Sequence, residues 1–410
     1  MKAVVFTLGC KVNSYESEIL LAGLKQRGYD ISEELCFADL YIINTCAVTA
    51  EAEKKSRQAV ARVKKFNPKA KIIVCGCASQ NNAEQFLQKE GVQLVFGTKN
   101  KEKILDLLDK SGLYIEKEDL YNPCELIPLT EKTRSFIKIQ DGCNNFCSYC
   151  LIPYLRGRSR SRNFDELLSE IKNTTSNEIV LTGIDISDYN YQGKTLVDVI
   201  KGCQNLDKRI RLGSLEVRVI TEEFLQALKN LKYFSEHFHL SMQSGSDVVL
   251  KSMNRKYTSL EYLNKVKLIR QYFPYSAITT DVIVGYATET EQEFVNTLNF
   301  CKEVNFADIH CFPYSPRKGT VGARLKDLSP EVKKQRMQEI LKLKNDFIYS
   351  FYLLNATREL IFIPEEFKDG YTLGTTSNYI KCKVKGIFNK EIKIRLCEFG
   401  EVCLAEKIGD

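Results

Sequence analysis

Asp141-Gly-Cys-Asn-Asn-Phe-Cys-Ser-Tyr-Cys150 sets three thiols, Cys143, Cys147 and Cys150, in a C-x3-C-x2-C spacing. Such close spacing lets them converge on one metal centre from a single loop. Thiolates are soft ligands that select zinc, copper(I) or iron–sulfur clusters. A structural zinc site closes its tetrahedron with four protein ligands. Only three are local here, and none of the histidines, His237, His239 and His310, is near in sequence. Three thiolates suit a cubane cluster with one iron left open for a substrate. A zinc knuckle with a distant fourth ligand is the alternative, although a Cys triplet without a second pair is a poor zinc pattern.

The triplet follows the first of six strand–helix units. Apolar runs at 135–139, 178–181, 210–215, 238–242, 277–284 and 308–312 predict strands. Helical patterns over 165–173, 196–205, 222–231, 260–272, 291–304 and 330–351 follow them in turn. Six βα units predict a partial (β/α)6 barrel, too few to close tightly, with its chemistry at the carboxyl ends of the strands. The triplet falls on that rim. So do Thr182 and Gly183, Glu216 and Arg218, Gln243, Asp281 and Gly285, each of them alone an ordinary loop residue. His237 and His239 share one strand face and are expected to line the barrel as packed, hydrogen-bonded side chains.

Upstream, residues 1–118 alternate apolar runs at 2–8, 39–44, 71–75 and 93–96 with helical patterns. Asn13 and Glu16 make a capping box before the first helix. The rhythm predicts a doubly wound parallel sheet. Cys10, Cys46 and Cys77 follow its first three strands. Ligands of open α/β sheets bind at that edge, so these thiols are expected to meet at a second metal centre. Three unrelated buried thiols are the alternative reading. Cys75 lies two residues before Cys77 and would share its face if the strand continued; the place of Cys77 after the glycine, in the loop, favours it as ligand and leaves Cys75 as strand interior.

Residues 119–130 are polar with prolines and read as a linker. From 355 to 410, five short alternating runs punctuated by glycines predict a small antiparallel β-barrel of oligonucleotide-binding shape. Lys381 and Lys383 alternate on one of its faces. Arg156, Arg158, Arg160 and Arg162 alternate directly after the triplet. In an extended chain all four lie on one side, where they are expected to meet phosphates; a solvated strand is the alternative for any single one.

The chain of 410 residues is long enough for two or three cores. A net charge of +7 permits a polyanionic partner without demanding one. No apolar run reaches the length of a membrane span, so no membrane partner is expected. Fifteen cysteines without a secretion signal point to reduced thiols in the cytoplasm.

The triplet, Tyr149 within it and the tail Leu151-Ile-Pro-Tyr-Leu-Arg-Gly-Arg-Ser-Arg-Ser-Arg162 resemble the radical S-adenosylmethionine (SAM) enzymes, and within them the methylthiotransferases. Thr7-Leu-Gly-Cys-Lys-Val-Asn13, Ile43-Asn-Thr-Cys-Ala-Val48 and Cys75-Gly-Cys-Ala-Ser-Gln80 are similar to the amino-terminal domain of that family. The resemblance implies three domains: 1–118 with an auxiliary [4Fe-4S] cluster on Cys10, Cys46 and Cys77; 130–350 with a second [4Fe-4S] cluster and SAM; and 355–410, a TRAM-like barrel. It implies SAM contacts from Tyr149, Thr182, Gly183, Glu216, Arg218, Gln243, Asp281 and Gly285. Arg156, Arg158, Arg160, Arg162, Lys381 and Lys383 would contact the anticodon stem-loop of a tRNA, not DNA. A reductant protein such as a flavodoxin or ferredoxin is implied as electron source.

Ile137-Lys-Ile-Gln-Asp-Gly-Cys143, Cys150-Leu-Ile-Pro153 and Met253-Asn-Arg-Lys-Tyr-Thr258 look most like one branch, which methylthiolates C2 of N6-threonylcarbamoyladenosine beside the anticodon. Action on isopentenyladenosine or on a ribosomal-protein aspartate is the alternative within the family. A non-catalytic two-cluster carrier that docks RNA is the alternative outside it. Gly285-Tyr-Ala-Thr-Glu-Thr290 departs from the family's Gly-Phe-Pro-Gly-Glu-Thr, which changes the backbone freedom of that turn.

Overall fold

Strand Leu40–Thr45 is buried at all six positions, which is why it reads as a continuous apolar run rather than an alternating one. It lies inside a six-stranded sheet in the order Asp30–Ser32, Lys2–Thr7, Leu40–Thr45, Lys71–Gly76, Val92–Phe96, Gly112–Tyr114. All pairings are parallel. Helix Lys11–Gln26 covers one face with Leu20, Leu21 and Leu24. Helix Ala50–Lys64 covers the other with Ala59, Val60 and Val63. Strand order reverses at Lys2–Thr7, so the crevice at the carboxyl ends of Lys2–Thr7 and Leu40–Thr45 is the topological switch point, where such sheets bind ligands. The expected capping box is absent. The first helix begins at Lys11 with Cys10 at its N-cap and no side-chain cap. Asn13, inside the helix, donates to the carbonyls of Leu8 and Thr45 (2.7 and 3.0 Å), pinning the loops that carry Cys10 and Cys46.

This computed structural model describes residues 1–116, 126, 128 and 133–409. The expected linker, 119–130, lies outside the described residues except for Leu126 and Pro128.

From Arg134 onward six strand–helix units form two parallel half-sheets. One runs Tyr233–Phe234, Arg209–Leu212, Glu178–Thr182, Arg134–Lys138; the other runs Ser214–Leu215, His237–Leu240, Ala277–Val284, Asp308–Pro313. The chain crosses between them at Gly213, where an added Cβ would lie 3.0 Å from the Leu181 carbonyl. Alternation divides each strand. Ile179 and Leu181, Ile210 and Leu212, Phe238 and Leu240, Ile278 and Val282 pack under the outer helices. Their neighbours Glu178, Arg209 and Arg211, His237 and His239, Thr279 and Asp281 therefore face the lumen. Unlike the packed centre of a closed eight-stranded barrel, this lumen is lined with polar and charged side chains.

The last five strands close a barrel in the order Leu360–Lys368, Tyr371–Thr376, Lys381–Lys385, Cys403–Lys407, Ile392–Glu398. One pairing, Lys381–Lys385 with Cys403–Lys407, is parallel, so the barrel is not wholly antiparallel as expected. Strand Ile392–Glu398 crosses over to pair with Leu360–Lys368, and the final strand fills the gap that remains. This barrel docks under the amino ends of the core strands. Arg134 donates to Glu365 at 2.8 Å, and Arg209 donates to both Glu391 oxygens at 3.0 and 2.6 Å. Tyr379 stacks on His237 with ring centres 4.1 Å apart. Among the described residues no helix is long and apolar enough to cross a membrane.

Candidate active site

The Cys143–Cys150 loop is fastened at its centre by Ser148. Its amide donates to the Met253 carbonyl (3.0 Å), its hydroxyl to Ser252 (2.8 Å), and its carbonyl accepts from the Gly322 amide (2.6 Å). The Tyr286 hydroxyl lies 2.8 Å from the Ser148 hydroxyl. Tyr286 belongs to the altered turn, which is itself locked. Gly285 takes φ +72° and donates to Glu289, and Glu289 pairs with Arg336 of helix Pro330–Asn355 at 2.7 Å. The turn that lacks a proline and a glycine is thus held by a buried ion pair.

Each sulfur of the triplet meets a donor: the Asn145 amide on Cys143 (3.4 Å), the Arg255 guanidinium on Cys147 (3.3 Å), the Ile152 amide on Cys150 (3.4 Å). Burial pushes the Cys143 thiol up to about 11 and the Cys150 thiol to about 12. Thiols so reluctant to ionise alone are deprotonated outright by a metal, and hydrogen bonds to the sulfurs tune a cluster's potential. Among the described residues no three thiols come within 4.8 Å of one another. A mononuclear tetrahedral thiolate site, with bonds of about 2.3 Å, needs about 3.8 Å between sulfurs. The wider spacing, and the lack of a fourth ligand among the described residues, fit a cluster better than a zinc knuckle.

Beside the triplet lies a cleft of about 140 Å³ bordered by Asn145, Cys147, Glu216, Arg218, Arg255 and Tyr257. Glu216 accepts from Arg255 through both oxygens (2.7 and 2.8 Å). Arg218 reaches Asp185 at 2.9 Å and Asp188 at 3.2 Å. Asp185 also accepts from Asn145 (3.0 Å), while its Oδ1 is buried with no hydrogen-bond partner. Burial, then the charge of Glu216, raises the Asp185 carboxyl to about 6. This orphaned acceptor is free for a donor of a bound ligand. Thr182 and Gly183 end the strand just before it, and Gln140 accepts from the Ile184 and Asp185 amides (3.1 and 2.8 Å), fixing that turn. Tyr149 is packed against Val249, Met253, Tyr286 and Tyr314. Gln243 holds φ +70° and bridges to Asp281 and Ile283 through its backbone. Asp281 lies deeper in the lumen, with both carboxylate oxygens against imidazoles.

Cys10, Cys46 and Cys77 lie at the switch-point edge of the amino-terminal sheet. A Cβ on Gly9 would come within 2.8 Å of Cys46 Cβ and 3.0 Å of its sulfur, so the first two loops touch. Gly76, at φ +104°, passes so close to Thr45 that a Cβ there would lie 2.4 Å from its carbonyl. Burial pushes Cys46 up to about 11, with the charges of Cys77 and Cys10 adding to it, and burial raises Cys77 against the nearby charges of Arg156 and Lys101. Cys77 opens the short helix Cys77–Asn81, so the chain turns after Gly76. Cys75 points to the other face of the sheet, among Leu20, Leu24 and Ile73.

The four arginines after the triplet do not share one side. Ile152–Arg156 is a helical turn, with proline in its first turn, that ends at Gly157, so the chain is not extended there. Arg156 is fully buried. It donates to Asp141 (2.9 and 3.1 Å), Glu16 (3.0 and 3.2 Å) and Asn13 (2.8 Å). Lys101 and Lys138 complete this network on Glu16 at 2.5 and 2.9 Å. Burial alone would raise the Glu16 carboxyl, but Arg156, Lys101 and Lys138 hold it well below its usual range. Arg162 is buried on Glu170 at 2.6 Å, and Arg160 reaches Asp141 at 3.6 Å. Arg158 is exposed and lies over the Phe146 ring at 4.4 Å. Arg156 and Arg162 are therefore structural, and Arg158 is the arginine of the four open to a phosphate. Lys381 is exposed and Lys383 lies over Tyr371 at 5.3 Å on the outer face of the small barrel.

Sequence reading missed Arg255, the donor to Cys147, and the Glu16–Arg156–Asp141 network. Arg255 sat in a stretch valued only for its resemblance. Glu16 was read as a cap, and its burial depends on contacts across 140 residues.

Two family models match the chain: Uncharacterized protein family UPF0004 over residues 2–97 and the Radical SAM superfamily over 137–301. Threonylcarbamoyladenosine tRNA methylthiotransferase MtaB of Bacillus subtilis (strain 168) is 38% identical, covering 98% of this chain and 95% of its own. The protein of the same name from Aquifex aeolicus (strain VF5) is 34% identical, covering 94% and 97%. The tRNA-2-methylthio-N(6)-dimethylallyladenosine synthase of Alkaliphilus oremlandii (strain OhILAs) is 34% identical, covering 97% and 90%. Among solved structures, the radical S-adenosylmethionine methyltransferase TsrM from Kitasatospora setae superposes with TM-score 0.56 at 13% identity, covering 79% of this chain and 76% of that one. At that identity the likeness speaks for the fold.

Proposed function

We infer the reaction of this chain from the family to which it belongs, the radical SAM tRNA methylthiotransferases. We propose that it methylthiolates C2 of N6-threonylcarbamoyladenosine next to the anticodon of a tRNA. On this reading residues 130–350 hold SAM and a [4Fe-4S] cluster on Cys143, Cys147 and Cys150. Residues 1–118 would hold a second [4Fe-4S] cluster on Cys10, Cys46 and Cys77, which would serve as the source of sulfur. Residues 355–410 contact RNA, with Lys381, Lys383 and Arg158 as phosphate partners. The bound cofactors supply the one-electron chemistry needed at a C–H bond that no side-chain base can deprotonate. A flavodoxin or ferredoxin in the cytoplasm supplies the electrons.

The chain's own residues place and insulate that chemistry. Asp185 and Arg218 offer an acceptor and a cation to the polar ends of SAM. Tyr149 and its aromatic neighbours exclude water behind the triplet. Arg255 sits between Cys147 and Glu216 and so couples the triplet to the SAM cleft. The observation that carries the proposal is the buried network at the domain junction. Glu16, six residues after Cys10, and Asp141, two residues before Cys143, grip the same Arg156 guanidinium. Two thiol sites fixed to one charge network are built to act on one substrate.

The test is anaerobic incubation of reconstituted protein with SAM, a reductant and tRNA carrying threonylcarbamoyladenosine, followed by nucleoside mass spectrometry. The methylthio product is expected from that tRNA and not from tRNA carrying isopentenyladenosine. Turnover of the isopentenyl substrate instead would move the chain to the neighbouring branch.

A further inference from the structure

His239, Asp281 and His310 come from three adjacent strands and meet in the lumen. His239 Nε2 lies 3.3 Å from one Asp281 oxygen, and His310 Nδ1 lies 3.4 Å from the other. All three ligand atoms fall within 4.8 Å of one another. A charge-assisted hydrogen bond between imidazole and carboxylate closes to about 2.7–2.9 Å, and neither contact does. Donors bonded to one metal at about 2.0–2.1 Å stand roughly 2.9 Å apart along an octahedral edge and 3.4 Å along a tetrahedral one. The two imidazole–carboxylate separations, one to each Asp281 oxygen, lie near the second value.

The surrounding groups support the same reading. The Thr279 hydroxyl lies 3.0 Å from His239 Nδ1 and 2.8 Å from His237 Nε2. It orients His239 so that Nε2 faces Asp281, the role an outer-shell partner plays for a metal-binding histidine. Asp281 and His310 are partly open to the lumen, 27% and 44% exposed, so a bound ion would keep positions for other ligands. The Asp281 carboxylate turns one oxygen to each imidazole, so either oxygen is placed to share an ion with an imidazole nitrogen. Imidazole and carboxylate donors together suit zinc, iron(II) or manganese rather than a thiophilic ion.

We propose that His239, Asp281 and His310 form a third metal site, separate from both thiol triads, which binds one divalent zinc-class ion with open positions facing the lumen. Oxygen atoms of water, or of whatever occupies the lumen, would fill those positions. The proposal does not depend on which nucleoside the enzyme modifies.

The test uses full-length protein with its clusters reconstituted anaerobically, so that the thiols are occupied. The protein is equilibrated with zinc at micromolar free concentration, desalted and measured for zinc and iron. Binding of manganese(II) is followed separately by room-temperature electron paramagnetic resonance. The parent is expected to retain one zinc per chain. His239→Ala and His310→Ala should lose it while keeping their iron and thermal melt. Thr279→Val should weaken manganese binding by roughly tenfold or more, as loss of an outer-shell partner does. A parent that retains no zinc and binds no manganese overturns the proposal. So does zinc that persists when all three ligands are replaced together, because it then lies elsewhere.

Discussion

Replacing Arg156 by methionine should destabilise the protein without touching its affinity for RNA. The side chain is fully buried and makes five hydrogen bonds, to Glu16, Asp141 and Asn13. Lys101, Lys138, Arg156 and Arg160 are four cations set against the two anions Glu16 and Asp141, a balance of +2. Methionine keeps the volume and lowers that balance to +1. Breaking a buried ion pair costs about 3–5 kcal/mol. The lower end applies, because Glu16 retains both lysines and Asp141 retains Lys138 at 3.2 Å. At roughly 2 °C per kcal/mol for large domains, the melting temperature should fall by about 6 °C in anaerobic scanning calorimetry. Glu16→Gln combined with Arg156→Met should cost less than the sum of the single changes, because neighbours in one network couple by about 0.5–3 kcal/mol. A buried guanidinium releases no counterions, so the salt dependence of tRNA binding should be unchanged, whereas Arg158→Ala should flatten it. A melt within about 1 °C of the parent, with additive single changes, would refute the claim that this network ties the two thiol loops together.

Three further outcomes follow from the structure. Cys77→Ala should remove about half the iron of reconstituted protein and abolish product formation, whereas Cys75→Ala should retain the iron; the reverse pattern would reassign the ligand. Burial, with the nearby charge of Arg211, holds the His237 imidazole well below its ordinary value. It stays neutral when folded and takes a proton when unfolded below about pH 6.5. Its contribution is therefore complete above that pH and lost as pH falls, by up to about 1.4 kcal/mol per pH unit. Urea titrations at pH 7.5 and 5.5 should show this loss in the parent and a smaller one in His237→Gln. Truncation before Leu360 should lower the melting temperature of the core, because it leaves Arg134 and Arg209 without Glu365 and Glu391; an unaltered melt would mean the docking contacts are idle.

The fold was legible where local pattern and layer position agree. Ala277–Val284 and Glu291–Val304 came out to the residue, one with apolar alternation and the other bounded by Thr290 as its cap. The positions of Cys10, Cys46 and Cys77 at strand ends were legible because sheet topology fixes where loops gather. The fates of Arg156, Arg162 and Glu16 were not. A charge repeated at every second residue looks like a solvated strand, and only the turn of helix at Ile152–Arg156 turns one guanidinium inward. Cys75 and Cys77 could not be separated by parity, because the strand stops between them. The parallel pair in the small barrel depends on which strand closes the ring, and no residue type encodes that.

The docking of the carboxy-terminal barrel also bears on the order in which the protein can be made. A chain emerges from the ribosome amino end first, and its domains fold as units as they appear. When the core strands are complete, Arg134, Arg209 and His237 at their amino ends still lack Glu365, Glu391 and Tyr379, which leave the ribosome later. The floor of the lumen is thus closed by residues made after the core. A prematurely terminated product would expose unpaired charge and a half-covered lumen to proteases.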